Sequence, residues 1–133
     1  MEKSKIIECV INISEGKNQE VIDQVVAPFY DTAHVTCMSV EPDADYHRTV
    51  ISVLGEAEAL KQAVIESCAI AIDTIDLRHH KGEHPRMGAV DVVPFIPISN
   101  ATMKDCIALA HEVGAAVSRL KNVPVYLYEE AAI

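Results

Sequence analysis

A chain of 133 residues with a formal net charge of −9 at pH 7 fits one domain that can bury a hydrophobic core unaided. Its acidity argues against nucleic acid as a partner, because binding to a phosphate backbone requires a basic face. Glu8 and Asn12 interrupt the apolar N-terminal run, and no apolar segment is as long as a membrane span. We therefore predict neither a signal peptide nor a membrane helix.

The first half of the chain alternates between strand and helix patterns. Apolar and polar residues alternate over Ile6–Ile13, which predicts a strand. Asn18 is placed as the N-cap of a helix over Gln19–Phe29. Two segments rich in β-branched residues, His34–Glu41 and Arg48–Gly55, are the predicted second and third strands, and a polar loop joins them.

The second half begins with apolar residues at four-residue spacing, which predicts a helix over Glu56–Ile75. Ala89–Ile98 is a predicted strand, and its two prolines place its far end at a sheet edge or a bulge. Thr102 and Asp105 resemble a capping box at the start of a third long helix. A short last strand is predicted over Val125–Tyr128.

The order β-α-β-β-α-β followed by α-β predicts an α+β fold, a ferredoxin-like sandwich with helices on one face of the sheet. We expect residues 1–133 to form a single domain. The third strand carries apolar residues on both faces, because Val50 and Leu54 alternate with Ile51. Since the helices cover one face, we expect a second subunit to cover part of the other.

The four cysteines indicate a reducing compartment. Cys9, Cys37, Cys68 and Cys106 are far apart, and each lies in an apolar segment. We interpret them as buried free thiols of a cytoplasmic protein, rather than as disulfides or zinc ligands.

The segment RHHKGEHPRMG, residues 78–88, contains three of the six histidines and three of the eleven Lys and Arg residues. Pro85 favours an extended backbone at His84, so His84 and Arg86 would project to the same side. An imidazole accepts and donates protons near neutral pH, and a guanidinium binds carboxylates. The segment thus fits a site for a small acid, and it fits a solvated polar loop equally well.

A metal site in this segment is disfavoured. His80 and His84 are four residues apart, but Gly82 and Pro85 oppose a shared helical face. Glu83 alone does not supply the pattern of a zinc protease. We therefore expect no metal.

Two other segments are candidates for ligand contacts. Asn12–Gly16 ends the first strand, where open α/β sheets bind ligands, although an ordinary turn before a helix explains it as well. His47, Arg48 and Thr49 open the third strand after an acidic loop, and a surface salt-bridge cluster is the alternative interpretation.

Four segments resemble, in order along nearly the whole chain, the N-terminal subdomain of glutamate formiminotransferase, the transferase part of formimidoyltransferase-cyclodeaminase. They are ECVINISEG (8–16), HRTV (47–50), RHHKGEHPRMGAVDVVPFIPI (78–98) and VPVYLYEEAA (123–132). The resemblance implies transfer of a formimino group from N-formiminoglutamate to N5 of the co-substrate tetrahydrofolate, in histidine breakdown.

The resemblance also implies the roles of individual residues. The catalytic histidine of the family's GEHPRMG motif is His84 here, and one imidazole can take a proton from N5 and return it to the departing glutamate nitrogen. Arg48 and Arg86 are the candidate carboxylate clamps. The other residues implied to bind substrate or folate are Asn12, Ser14, Glu15, Gly16, Glu41, His47, Met87 and Gly88.

The chain departs from the family pattern at four positions and in length. Ile11, Glu41, His47 and Glu129 stand where the family usually has Pro, Asp, Asn and Gly. In the full transferase, folate lies between this subdomain and a second one of related fold, which residues 1–133 do not include. We expect either an enzyme completed by a homodimer or a complementary subdomain, or a non-catalytic module that binds folate or an acidic metabolite.

Overall fold

The computed structural model describes residues 4–45, 48–75, 90–92 and 94–121, with the backbone alone at 90–92 and 121. This part of the chain is an α+β domain with an antiparallel sheet and three helices. Its elements are β1 (Ile6–Ile13), α1 (Gln19–Asp31), β2 (Val35–Asp43), β3 (Arg48–Glu56), α2 (Ala57–Thr74), β4 (Val90–Val92), β5 (Phe95–Ser99) and α3 (Met103–Lys121). No helix in these ranges is long and apolar enough to cross a membrane.

The core lies between the helices and one face of the sheet. In β1, the side chains of Ile7, Cys9, Ile11 and Ile13 are at most 1% exposed, and the residues between them are half-buried on the opposite face. The buried set joins apolar residues of all three helices in one cluster. The predicted alternation in β1 and the placement of the helices on one face are therefore confirmed.

The five strands occupy four positions across the sheet, in the order β2-β3-β1-β4, with β5 also paired to β1. Asn12 pairs with Val92 and Glu8 pairs with Ile96, so β4 and β5 lie along the same side of β1. Between them, the Val10 N–H donates to the Pro94 carbonyl at 3.2 Å. Pro94 has no N–H to donate in return, which explains why the predicted strand Ala89–Ile98 is divided into two.

The prediction of an edge or a bulge at the end of Ala89–Ile98 is also confirmed. Pro97 pairs with Ile7 but Ser99 pairs with Ile6, so β5 has one extra residue, Ile98, at a shift in the strand register. Among the strands that the structure describes, β5 pairs with β1 alone.

A second register shift, in β2, decides which residues face which side. Cys37 pairs with Val53, whereas Ser39 pairs with Ser52, so Met38 is the extra residue. A single extra residue reverses the alternation of side chains. Beyond Met38, Glu41 therefore lies on the face opposite the helices, where uninterrupted alternation from Cys37 would have placed it toward the core.

The predicted helix starts are confirmed by hydrogen bonds. The Asn18 side chain accepts the Val21 N–H at 3.3 Å, as an N-cap does. The Thr102 N–H donates to the Asp105 carboxylate at 2.9 Å, and the Asp105 N–H donates to the Thr102 hydroxyl at 3.1 Å, which is a capping box. The hydrogen bond from the Thr102 backbone, followed by the one from the Lys5 ammonium, lowers the pKa of the Asp105 carboxyl.

The bounds of several elements differ from the prediction. Helix α1 continues two residues beyond Phe29, to Asp31, and α2 is one residue shorter at each end than Glu56–Ile75. Strand β2 begins one residue later and ends two residues later than His34–Glu41. The predicted strand Val125–Tyr128 lies outside the described residues.

Asn18→Ala is expected to lower the free energy of unfolding by about 1 kcal/mol, because an amide donor of the first helical turn loses its partner. Urea unfolding followed by circular dichroism measures this change. Gln24→Ala, at an exposed position of the same helix, is the control and is expected to change stability by less than about 0.5 kcal/mol. Equal stability of Asn18→Ala and the unsubstituted protein would show that this cap contributes nothing.

All four cysteines are free, and three of them are buried as predicted. Cys9, Cys68 and Cys106 are at most 4% exposed. Burial raises the pKa of the Cys9 thiol well above its usual value and that of Cys68 to about 12. Cys37 is half-buried, which corrects the prediction that every thiol is buried.

The folded protein is expected to react with an aromatic disulfide reagent at Cys37 alone, and at all four cysteines after unfolding, because buried neutral thiols are poor nucleophiles. Absorbance of the released thiolate at pH 8 counts the reacting groups. Cys37→Ser should abolish the reaction of the folded protein. Rapid reaction of a second thiol before unfolding would refute the burial of the other three.

Candidate functional site

Three strands bring candidate residues to one end of the sheet. Asn12 near the end of β1 pairs with Val50 near the start of β3, and Val50 pairs with Glu41 near the end of β2. Directly paired residues place their side chains on the same face of the sheet. Since β3 lies between β1 and β2, Asn12 and Glu41 are separated by two strand spacings, or about 10 Å. Asn12 and Glu41 therefore share the sheet face opposite the helices.

Arg48 extends this row of polar residues. It is the exposed first residue of β3, and it pairs with Asp43 at the end of β2. By the same rule of pairing, Arg48 and Asp43 lie on the face that carries Asn12 and Glu41. Among the described residues, this end of the sheet combines the Arg48 guanidinium with the carboxylates of Glu41 and Asp43. The combination suits a ligand that carries both charges, and it is also compatible with the salt-bridge interpretation.

The loop that joins β1 to α1 is fixed against the start of β3. Thr49 is fully buried, and its hydroxyl donates to the Glu15 carbonyl. The Glu15 carboxylate accepts the N–H groups of Lys17 at 3.1 Å and Asn18 at 3.0 Å. Glu15 is only 8% exposed, so the described contacts give this predicted binding residue a clear role in shaping the loop.

Gly16 is required at its position by close packing. A Cβ atom there would lie 2.5 Å from the Arg48 nitrogen and 2.8 Å from the Arg48 oxygen, and would overlap the Asp43 carbonyl. Contacts this short with backbone atoms cannot be relieved by a side-chain rotation. The absence of a side chain thus lets the loop lie directly on the hairpin that carries Asp43 and Arg48.

A shallow, open depression of about 380 Å³ lies beside this row. Its lining residues are Glu41, Pro42, Asp43, Ala44, Asp45 and Val50. Three carboxylates in this lining favour a cationic group over an anion. Within the described ranges, no cluster of three or more His, Cys, Asp or Glu side chains could hold a metal ion.

The structure brings six of the predicted site residues to one end of the sheet: Asn12, Ser14, Glu15, Gly16, Glu41 and Arg48. His47, His84, Arg86, Met87 and Gly88 lie outside the described residues. In the sequence, Thr49 was noted only as part of the segment that opens the third strand, and no role of its own was predicted for it. The one available signal was a hydroxyl residue in the row of core-facing residues that continues with Ile51 and Val53.

These features define an α+β domain with a candidate ligand site at one end of an antiparallel sheet. The profile of the formiminotransferase domain, N-terminal subdomain, matches residues 6–133. The chain belongs to this family, which confirms the resemblance found in the sequence.

Relatives with whole-chain matches carry two related names. Formimidoyltransferase-cyclodeaminase of Gallus gallus is 43% identical over 129 residues, and that of Dictyostelium discoideum is 41% identical over 129 residues. Each match covers 97% of this chain and 24% of the relative. Glutamate formimidoyltransferase of Streptococcus pyogenes serotype M1 is 39% identical over 129 residues, or 97% of this chain and 43% of that relative. The chain therefore spans less than half the length of each of these proteins.

Proposed function

We propose that this chain is the part of a formiminotransferase that binds N-formiminoglutamate and tetrahydrofolate and transfers the formimino group to N5 of the folate. The observation that carries the proposal is the convergence of Asn12, the Ser14–Gly16 loop, Glu41 and Arg48 at one end of the sheet in a member of this family. Relatives named glutamate formimidoyltransferase, which match 97% and 96% of this chain, support the same reaction.

The charges at this end of the sheet suit the two substrates. N-formiminoglutamate carries two carboxylates, and folate carries a glutamate tail; the Arg48 guanidinium is a suitable partner for one of these groups. The formimino group is an amidine and is therefore cationic at neutral pH. Glu41 and Asp43, on the same sheet face as Arg48, are suitable partners for it.

His84 is the proposed general acid and base. N5 of tetrahydrofolate attacks the amidine carbon and gives its proton to the imidazole, and a tetrahedral intermediate forms. The imidazole returns the proton to the glutamate nitrogen as the bond from carbon to that nitrogen breaks. His84 precedes Val90 by six residues, which limits their separation to about 20 Å. Val90 pairs with Ile13, at the sheet end where the candidate residues meet.

Arg86, Met87 and Gly88 follow His84 in the same motif, and we assign Arg86 to a second carboxylate. His47 precedes Arg48 directly and is assigned to the same binding site. The reaction needs no metal in this scheme, since the imidazole supplies both proton transfers. Free thiols at all four cysteines support a reducing compartment, for which we propose the cytoplasm.

We also propose that the sheet is ferredoxin-like and that a second wall completes the cleft. The antiparallel order β2-β3-β1-β4 supports the topology. On the face opposite the helices, Val10 and Leu54 are half-buried and Ile96 is 39% exposed, which is apolar area for a covering surface.

Glu8 limits which kind of surface can cover this face of the sheet. It pairs with Leu54 on one side and with Ile96 on the other, in the middle of this face. A buried carboxylate needs a cation or hydrogen-bond donors, and a second copy of this chain would bring a second Glu8. The second wall, whether a complementary subdomain or a second copy, must therefore place a cation or hydrogen-bond donors at Glu8.

The alternative function is a non-catalytic module that binds folate or an acidic metabolite. One wall of a cleft is enough to bind a ligand without assembling the whole reaction.

The test is formation of 5-formiminotetrahydrofolate from the two substrates, followed by absorbance, with calorimetric titration of folinic acid on the same sample. Turnover supports the transferase, and binding of folinic acid without turnover supports the module. Light scattering at the assay concentration shows whether the active species is a monomer or an assembly. The absence of both turnover and binding would contradict both functions.

A further inference from the structure

We propose that Thr49 is a positioning residue of the substrate site, whose hydroxyl fixes the Ser14–Gly16 loop relative to Arg48. The inference rests on the proposed function, because it concerns the same site. Thr49 touches no ligand in this proposal and acts through the loop that it holds.

The contacts of Thr49 single it out in β3. Side chains alternate along the strand, so Arg48 and Val50 share the site face, while Thr49 points to the other side with Ile51. A fully buried hydroxyl among apolar neighbours requires a partner, and here the partner is the Glu15 carbonyl. The bond spans 34 residues of sequence and ties the start of β3 to the loop after β1.

Further contacts fold the Ser14–Gly16 loop and hold it close to β3. The Glu15 carboxylate accepts the backbone N–H groups of Lys17 and Asn18. Gly16 lies against the backbone of Arg48, where a side chain would not fit. Thr49 therefore holds a loop that is already compact, and its bond sets the position of that loop relative to the strand that begins with Arg48.

This position matters for binding because a ligand that contacts both the loop and Arg48 requires a fixed spacing between them. A loop held in advance loses less conformational entropy when the ligand binds. Thr49→Val keeps the shape of the side chain but leaves the Glu15 carbonyl without its hydroxyl donor. The loop should then move more freely, and the ligand should bind more weakly.

The test compares four variants with the unsubstituted protein by titration with folinic acid and by amide hydrogen exchange. Thr49→Val is expected to weaken binding about tenfold and to speed the exchange of the Lys17 and Asn18 amides, and Thr49→Ser should restore both. Ser67→Ala is the matched control, because the buried Ser67 hydroxyl donates to the Val25 carbonyl at 2.7 Å between α2 and α1. It should lower the melting temperature and leave affinity unchanged. Thr49→Ala is measured in parallel, in case the valine variant does not fold.

Each outcome decides a separate question. The proposal is overturned if Thr49→Val binds folinic acid as tightly as the unsubstituted protein and exchanges its amides at the same rate. It is also overturned if Ser67→Ala loses as much affinity as Thr49→Val, because the loss would then reflect general destabilisation. If the unsubstituted protein neither binds folinic acid nor forms the 5-formimino product, the proposed function fails. The exchange comparison, which needs no ligand, then still decides whether Thr49 holds the loop: unchanged exchange overturns the proposal.

Discussion

His84→Ala is expected to slow formimino transfer by about a hundredfold to ten-thousandfold, the usual contribution of a positioned acid and base. Folinic acid should still bind, because His84 acts on the proton of N5 in the transition state rather than in ligand capture. In kinetic terms kcat falls and KM stays nearly constant. The measurement is the initial rate of 5-formiminotetrahydrofolate formation, together with calorimetric titration of the same sample.

The control for this variant is His111→Ala, which removes an exposed imidazole from α3 and should leave the rate unchanged. The rate of the unsubstituted protein should also fall toward acid pH, since a protonated imidazole cannot accept the N5 proton. His84→Ala should lose this part of the pH profile. A His84→Ala rate close to that of the unsubstituted protein would remove His84 from the mechanism.

Gly16→Ala is expected to lower the free energy of unfolding by about 3 kcal/mol or to prevent folding, because the new Cβ overlaps backbone atoms that have no room to move. Those atoms belong to Asp43 and Arg48, so a variant that folds must shift the loop away from β3. Folinic acid should then bind at least about tenfold more weakly. Urea unfolding and calorimetric titration measure the two effects.

Gly55→Ala provides a matched comparison at the other end of β3. A Cβ there would lie 2.8 Å from the His34 carbonyl oxygen and 3.1 Å from the Val35 Cγ2 atom, so this variant should also be less stable. Its affinity for folinic acid should remain unchanged, because the strain lies away from Arg48. If Gly16→Ala were as stable as the unsubstituted protein and bound folinic acid as well, the close packing of the loop would be refuted.

Local features of the fold were predictable from sequence, since each depends on neighbours along the chain. The alternation of β1 follows from its period of two, and the Asn18 cap and the box of Thr102 and Asp105 follow from residues at most three positions apart. The division of the fourth strand was not predicted. It depends on Pro94 facing Val10, and therefore on the strand register.

The candidate site was predicted as separate segments, and only the three-dimensional structure joins them. The extra residue Met38 in β2 turns Glu41 to the site face, and no local pattern indicates a bulge there. The contact of Thr49 with Glu15 and the fit of Gly16 against Arg48 both join distant parts of the chain. The role of His84 was inferred from the family resemblance, because the residues of its segment fit a solvated polar loop equally well.

The central claim is that the ligand binds at the end of the sheet where β1 ends and β3 begins. Amide chemical shifts of the 15N-labelled chain, recorded during titration with folinic acid, test it most directly. We predict the largest changes at Asn12–Gly16 and Arg48–Val50, with little change at Ile6 or Gly55 at the opposite end of the paired strands. Changes confined to that opposite end, or no changes at saturating folinic acid, would contradict this account.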